Sequence, residues 1–108
     1  MRERGRMTAF DEVRHVKDPI YPWFDGEQNL DDGVIYIVDG PRHIEFNCPC
    51  GCGNAVMIPF HARGDKDVSG WELQEREGVV TLSPSILSSG FECKSHYFIR
   101  ENRVDWCG

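Results

Sequence analysis

Three cysteines within five residues, Cys48-Pro49-Cys50-Gly51-Cys52, and a later Cys93-Lys94-Ser95-His96 give the chain five soft or borderline metal ligands in two clusters. A tight Cys-x-x-His turn can aim both of its ligands at one ion, and Gly51 and Gly53 let the first loop curl until backbone N–H groups face thiolate sulfur. Zinc takes four such ligands in a tetrahedron at about 2.0–2.3 Å. One zinc ion bridging the two loops is therefore expected. Cys50, Cys52, Cys93 and His96 form the simplest set, with Cys93 and His96 the surest ligands. Cys48 can replace either of the first two, so one cysteine of the first cluster is spare.

Isolated free cysteines are often small buried hydrophobes. Three in five residues around Pro49 and Gly51 would instead crowd one face and break regular strand pairing. A saturated shell points to structural zinc. A two-iron, two-sulfur cluster is the alternative, because the paired loops and Cys-x-x-His are similar to those of Rieske proteins. The Rieske first loop carries Cys-x-His, whereas this one carries cysteines only. Catalytic zinc needs a vacant position and a nearby acid or base, and neither cluster contains Glu or Asp. A spare cysteine beside the metal could itself be a nucleophile.

Other candidate chemistry is thinner. Ser83 or Ser85 with His61 or His96 would supply a nucleophile and base, but no Gly-x-Ser-x-Gly elbow is present and His96 is assigned to the metal. Turn hydroxyls bonded to backbone are expected there. His15, His43 and His61 read as hydrogen-bonded or solvated side chains. Trp71, Trp106, Phe91, Tyr97 and Phe98 read as core.

The elements that must position these residues are short. Apolar runs at 34–38, 43–47, 55–59, 71–74, 79–82, 97–100 and 104–106 have the length and composition of strands. Asp39-Gly40-Pro41 and Glu101-Asn102 read as hairpin connections, so a mostly β, small antiparallel domain is expected. Ser83-Pro84 admits one short helical turn over 84–88. Residues 17–32 alternate breakers with aromatics and acids and read as a structured loop in which Trp23 and Phe24 could contact a protein. Residues 1–8, with Arg2, Arg4 and Arg6, read as a flexible tail.

With 108 residues there is room for one domain, spanning 1–108. A formal charge of -6, from 12 Lys and Arg against 18 Asp and Glu, disfavours nucleic acid and anionic membranes as partners. No apolar run approaches the roughly 18 residues of a membrane span, and no secretory signal is visible. Unpaired cysteines then suit the cytoplasm.

Taken in order, CPCGCG at 48–53, Trp71-Glu72-Leu73, Thr81-Leu82-Ser83-Pro84-Ser85-Ile86, Cys93-Lys94-Ser95-His96-Tyr97-Phe98 and Val104-Asp105-Trp106-Cys107 form a distinctive set. The pattern resembles a family of small, uncharacterised bacterial and phage proteins, departing from it at Glu92. The resemblance implies zinc binding through these cysteines and the histidine. Some relatives are encoded beside ubiquitin-like conjugation enzymes, which implies an accessory role and protein partners in such a pathway. Elimination of other chemistry then leaves a non-catalytic, zinc-stabilised interaction module as the expected function.

Overall fold

The apolar runs fold as strands in the computed structural model, which describes residues 6–18, 30–88, 90 and 92–107. Eight strands follow one another: β1 (Glu12–Val16), β2 (Val34–Val38), β3 (His43–Asn47), β4 (Ala55–Ala62), β5 (Trp71–Arg76), β6 (Val79–Leu87), β7 (His96–Arg100) and β8 (Arg103–Trp106). They form one sheet in chain order. The described residues contain no helix, and thus none long and apolar enough to cross a membrane. The expected mostly β class is what the protein adopts. Two pairings, β1–β2 and β4–β5, are parallel and the others antiparallel. The parallel pairs are joined through residues 17–33 and 63–70.

Residues 34–38 are apolar without alternation because both faces of β2 are covered. Ile35 and Ile37 join the main core with Ile44, Phe46, Ile58, Leu82, Tyr97 and Ile99, while Val34 and Tyr36 pack with Leu30 on the other side. Phe46 stands edge-on to Phe10 and Tyr97, at centroid distances of 5.3 and 6.5 Å. This brings the end of β3 and the start of β7 to one end of the core, although the strands are not neighbours.

The segment before β1 ties the two edges of the sheet together. Ala9 bridges Arg103 of β8, the Phe10 N–H donates to Asn102 O at 2.7 Å, and the Val104 N–H to Thr8 O at 2.9 Å. Met7 donates from its N–H to Pro49 O and accepts from Trp106 Nε1. Met7 and Thr8, the last two residues of the expected tail, are thus held by hydrogen bonds. Arg2, Arg4, Trp23, Phe24 and Phe91 lie outside the described residues.

In place of the helical turn expected over 84–88, the chain continues as strand to Leu87. Val80, Leu82 and Ile86 of β6 all enter the core, so the chain must stay extended across the proline. Leu82 pairs with Ile99 and Ile86 with Tyr97, leaving Ser83, Pro84 and Ser85 opposite the single residue Phe98. That mismatch is a β-bulge, a device that re-aims a side chain within a sheet.

Candidate metal centre and serine–histidine pair

Beyond β3 the chain curls through residues 48–54 and returns as β4. The Cys48 N–H donates to Asn54 O at 2.9 Å and the Gly51 N–H to Cys48 O at 3.1 Å. Gly51 (φ 86°) and Gly53 (φ 89°) take the left-handed conformations that make the curl possible. The second loop, between β6 and β7, delivers Cys93 to the same end of the core.

Four sulfurs converge there. Cys48 Sγ lies 3.4 Å from Cys50 Sγ and 3.9 Å from Cys93 Sγ. The ligand atoms of Cys48, Cys50, Cys52 and Cys93 are all within 4.8 Å of one another. A tetrahedron with metal–sulfur bonds of about 2.3 Å has sulfur–sulfur edges of about 3.8 Å, so the group could hold a metal ion with small adjustments. All four thiols are free. Burial pushes the Cys48 and Cys52 thiols up. For Cys93 burial acts in the same sense, but hydrogen bonds from the Ser95 hydroxyl and backbone and from Cys50 and Cys52 outweigh it and bring the thiol down to about 7. Ser95 Oγ donates to Cys93 Sγ and Asn54 Nδ2 to Cys52 Sγ, each at 3.3 Å. These donors favour thiolate, the form a metal binds.

All three thiols of the first cluster, including the one expected to be spare, converge with that of Cys93. His96, the expected fourth ligand, does not. As the chain enters β7, Ser95 is buried against the sulfurs and Tyr97 is buried in the core. His96 between them faces the opposite way, beside Leu87 of β6. A three-residue spacing counts positions but not the alternation of an extended chain, and alternation carries the imidazole off the metal side.

The imidazole meets a hydroxyl instead. Ser85 Oγ and His96 Nε2 are 2.8 Å apart. Ser85 sits in the bulge of β6, diagonally across from His96 on the face away from Ile86 and Tyr97. Both residues are half-buried. No elbow motif marks the pair in the sequence, and the Cys-x-x-His spacing draws His96 toward the sulfurs. The available signal was Pro84 inside an otherwise strand-like run, which marks a bulge. His61 Nδ1 instead donates to Ser69 O at 2.8 Å, and Cys107 lies apart from the sulfur group, its N–H bonded to His96 O.

A hydroxyl in contact with an imidazole is the minimal nucleophile and base of acyl transfer. A family model described as bacterial ubiquitination-like system serine protease (BubE) matches residues 23–107. No curated protein and no solved structure matches. With more than half its length covered, the chain belongs to the BubE family.

Proposed function

We propose that the protein is a serine hydrolase of a ubiquitin-like conjugation pathway, with Ser85 as nucleophile and His96 as general base. The observation that carries the proposal is the 2.8 Å contact between Ser85 Oγ and His96 Nε2, and the serine protease description of the family agrees with it. The expectation of a non-catalytic module rested on His96 being a metal ligand; with the imidazole on Ser85, that elimination loses its ground.

With His96 neutral and its proton on Nδ1, Nε2 accepts the Ser85 proton as Oγ attacks a substrate carbonyl carbon. The tetrahedral intermediate collapses when His96 returns that proton to the leaving amine or alcohol, leaving an acyl-serine. Water, deprotonated by the same nitrogen, then releases the acid and restores Ser85. The face is open: Leu87, paired with His96, is 56% exposed, so an extended chain can reach the hydroxyl. The substrate class is an acyl bond at the terminus of a ubiquitin-like protein, and that protein is the partner.

Zinc is the ion that the four cysteines hold in this reading. An all-thiolate set saturates it and leaves no open position, so it acts as a brace and takes no part in acyl transfer. A two-iron cluster would separate two pairs of sulfurs by its own length, and the four lie within 4.8 Å of one another. Free thiols fit a reducing compartment such as the cytoplasm.

The test is reaction of the metal-loaded protein with a fluorophosphonate probe, followed by peptide mapping. A single adduct on Ser85, lost in His96→Gln, supports the reading. Absence of any adduct, or one on another residue that survives in Ser85→Ala, rejects it. Elemental analysis of the same sample should give one zinc per chain; iron with acid-labile sulfide would overturn the metal assignment.

A further inference from the structure

A bulge leaves backbone groups without ladder partners, and each then needs another partner or water. In β6 the affected stretch is the one that carries the nucleophile. The Ser85 carbonyl accepts from a side chain: Trp71 Nε1 donates to Ser85 O at 3.2 Å. Trp71 opens β5, whose next residue, Glu72, pairs with Ser83. Its indole therefore reaches the bulge from the strand opposite the one that presents His96.

The donor is firmly held. The Trp71 ring packs against the main core, and its backbone pairs with Phe60 of β4. The preceding Gly70 has φ +76°, and a Cβ placed there would come within 2.3 Å of Pro59 O. Only glycine allows that approach of β5 to β4, so the start of β5 is seated directly on its neighbour's backbone.

We infer that Trp71 is a positioning residue for Ser85: by fixing the carbonyl of the bulged residue, its indole N–H sets the direction in which Ser85 Oγ is presented to His96. The consequence for rate rests on the hydrolase reading; the consequence for the Ser85–His96 hydrogen bond does not. With Ser83, Pro84 and Ser85 opposite Phe98 alone, the ladder does not fix Ser85 through a paired residue of its own, and a displacement of about 1 Å between reacting groups can cost on the order of a hundredfold.

The variant is Trp71→Phe, which keeps an aromatic ring and removes the donor. In metal-loaded protein, the rate of fluorophosphonate labelling of Ser85 should fall at least about tenfold. On a peptide ester kcat should fall with KM unchanged, while zinc content stays as in the parent. The nitrogen NMR shifts of the His96 imidazole should move toward those of Ser85→Ala. If Trp71→Phe folds poorly, benzothienylalanine introduced at position 71, which replaces the indole N–H by sulfur within the same outline, gives the same comparison.

Unchanged labelling and unchanged His96 shifts in a folded variant overturn the inference, as does a loss of rate that follows the unfolded fraction. If the parent protein is never labelled at Ser85, the hydrolase reading fails. The His96 shifts then still decide whether Trp71 holds the serine.

Discussion

Cys93 and His96 leave one turn in opposite directions: Cys93 Sγ lies 3.9 Å from Cys48 Sγ, and His96 Nε2 lies 2.8 Å from Ser85 Oγ. Ser95 stands between them and serves both sides. Its hydroxyl donates to Cys93 Sγ at 3.3 Å, and its carbonyl accepts from the Ser88 N–H at 2.8 Å, which closes the base of the β6–β7 pair. Occupancy of the sulfur group therefore bears on the strand start that carries the imidazole, through backbone rather than through a shared ligand.

Metal removal should accordingly cost both stability and activity. The sulfur group joins the end of β3 to the β6–β7 connection, and a site absent from the unfolded chain turns binding energy into folding energy. Exhaustive chelation should lower the melting temperature by at least roughly 15 °C, corresponding to about 3 kcal/mol, and abolish Ser85 labelling. Readdition of zinc should restore both. A melting temperature unmoved by verified removal of the metal would deny the group its bracing role.

Cysteine and histidine variants should separate the two constellations. Serine at 48, 50, 52 or 93 should each eliminate stoichiometric metal binding, because all four sulfurs belong to the group. Serine at Cys107 should not. His96→Gln should retain one metal per chain and a melting temperature within about 3 °C of the parent, yet lose roughly 10³-fold or more in labelling rate. Loss of metal in His96→Gln would return the imidazole to the ligand set.

Much of the sheet was legible because its strands are apolar and short. Residues 34–38 announce themselves as a continuous run, and the structure gives the reason in the two packed faces of β2. β1 was not legible: in Glu12–Val16 only Val13 and Val16 are apolar, and the strand is mostly exposed. The cysteine cluster was visible as a set, since sulfur spacing within one loop survives any fold. That His96 lies on Ser85 and not among the sulfurs was not visible, because facing direction depends on where β7 begins. The Ser85–His96 pair depends on the register of β6 against β7 across a bulge, a relation between distant segments that local composition does not encode.

Asn102 should prove more important to stability than a hairpin residue ordinarily is. Glu101 and Asn102 both have positive φ, 51° and 65°, as a tight two-residue hairpin requires. The Asn102 side chain also accepts from the Val80 N–H at 2.7 Å and donates to Gly78 O at 3.1 Å. Asn102→Ala should destabilise by about 2–3 kcal/mol, combining a lost partner for a strand N–H with a left-handed alanine. Asn102→Gly removes the same hydrogen bonds but tolerates the conformation, and should cost about 1 kcal/mol less in denaturant unfolding. Equal costs would mean that the side-chain bonds alone account for the effect.

His15 should make stability depend on pH in a defined direction. Its Nε2 lies 2.8 Å from Glu75 Oε1 and its Nδ1 3.1 Å from Asp39 Oδ2, so it links β1 both to β5 and to the β2–β3 turn. Partial burial pulls the imidazole pKa down, but the hydrogen bonds and charges of Asp39 and Glu75 outweigh it, and the net shift is upward. A pKa raised on folding means that the protonated form is favoured in the native state. Its contribution is fully present below the ordinary histidine value of about 6.5 and fades as pH rises through the higher folded value. Because the ring is about half exposed, screening limits the effect to about 0.5 kcal/mol. The stability difference between the parent and His15→Gln should therefore be largest near pH 5.5, close to zero near pH 9, and smaller in 0.5 M salt. Both proteins carry the same sulfur group, so its own pH dependence cancels in the difference. A gap that widens toward alkaline pH would show that His15 stabilises the fold as a neutral ring.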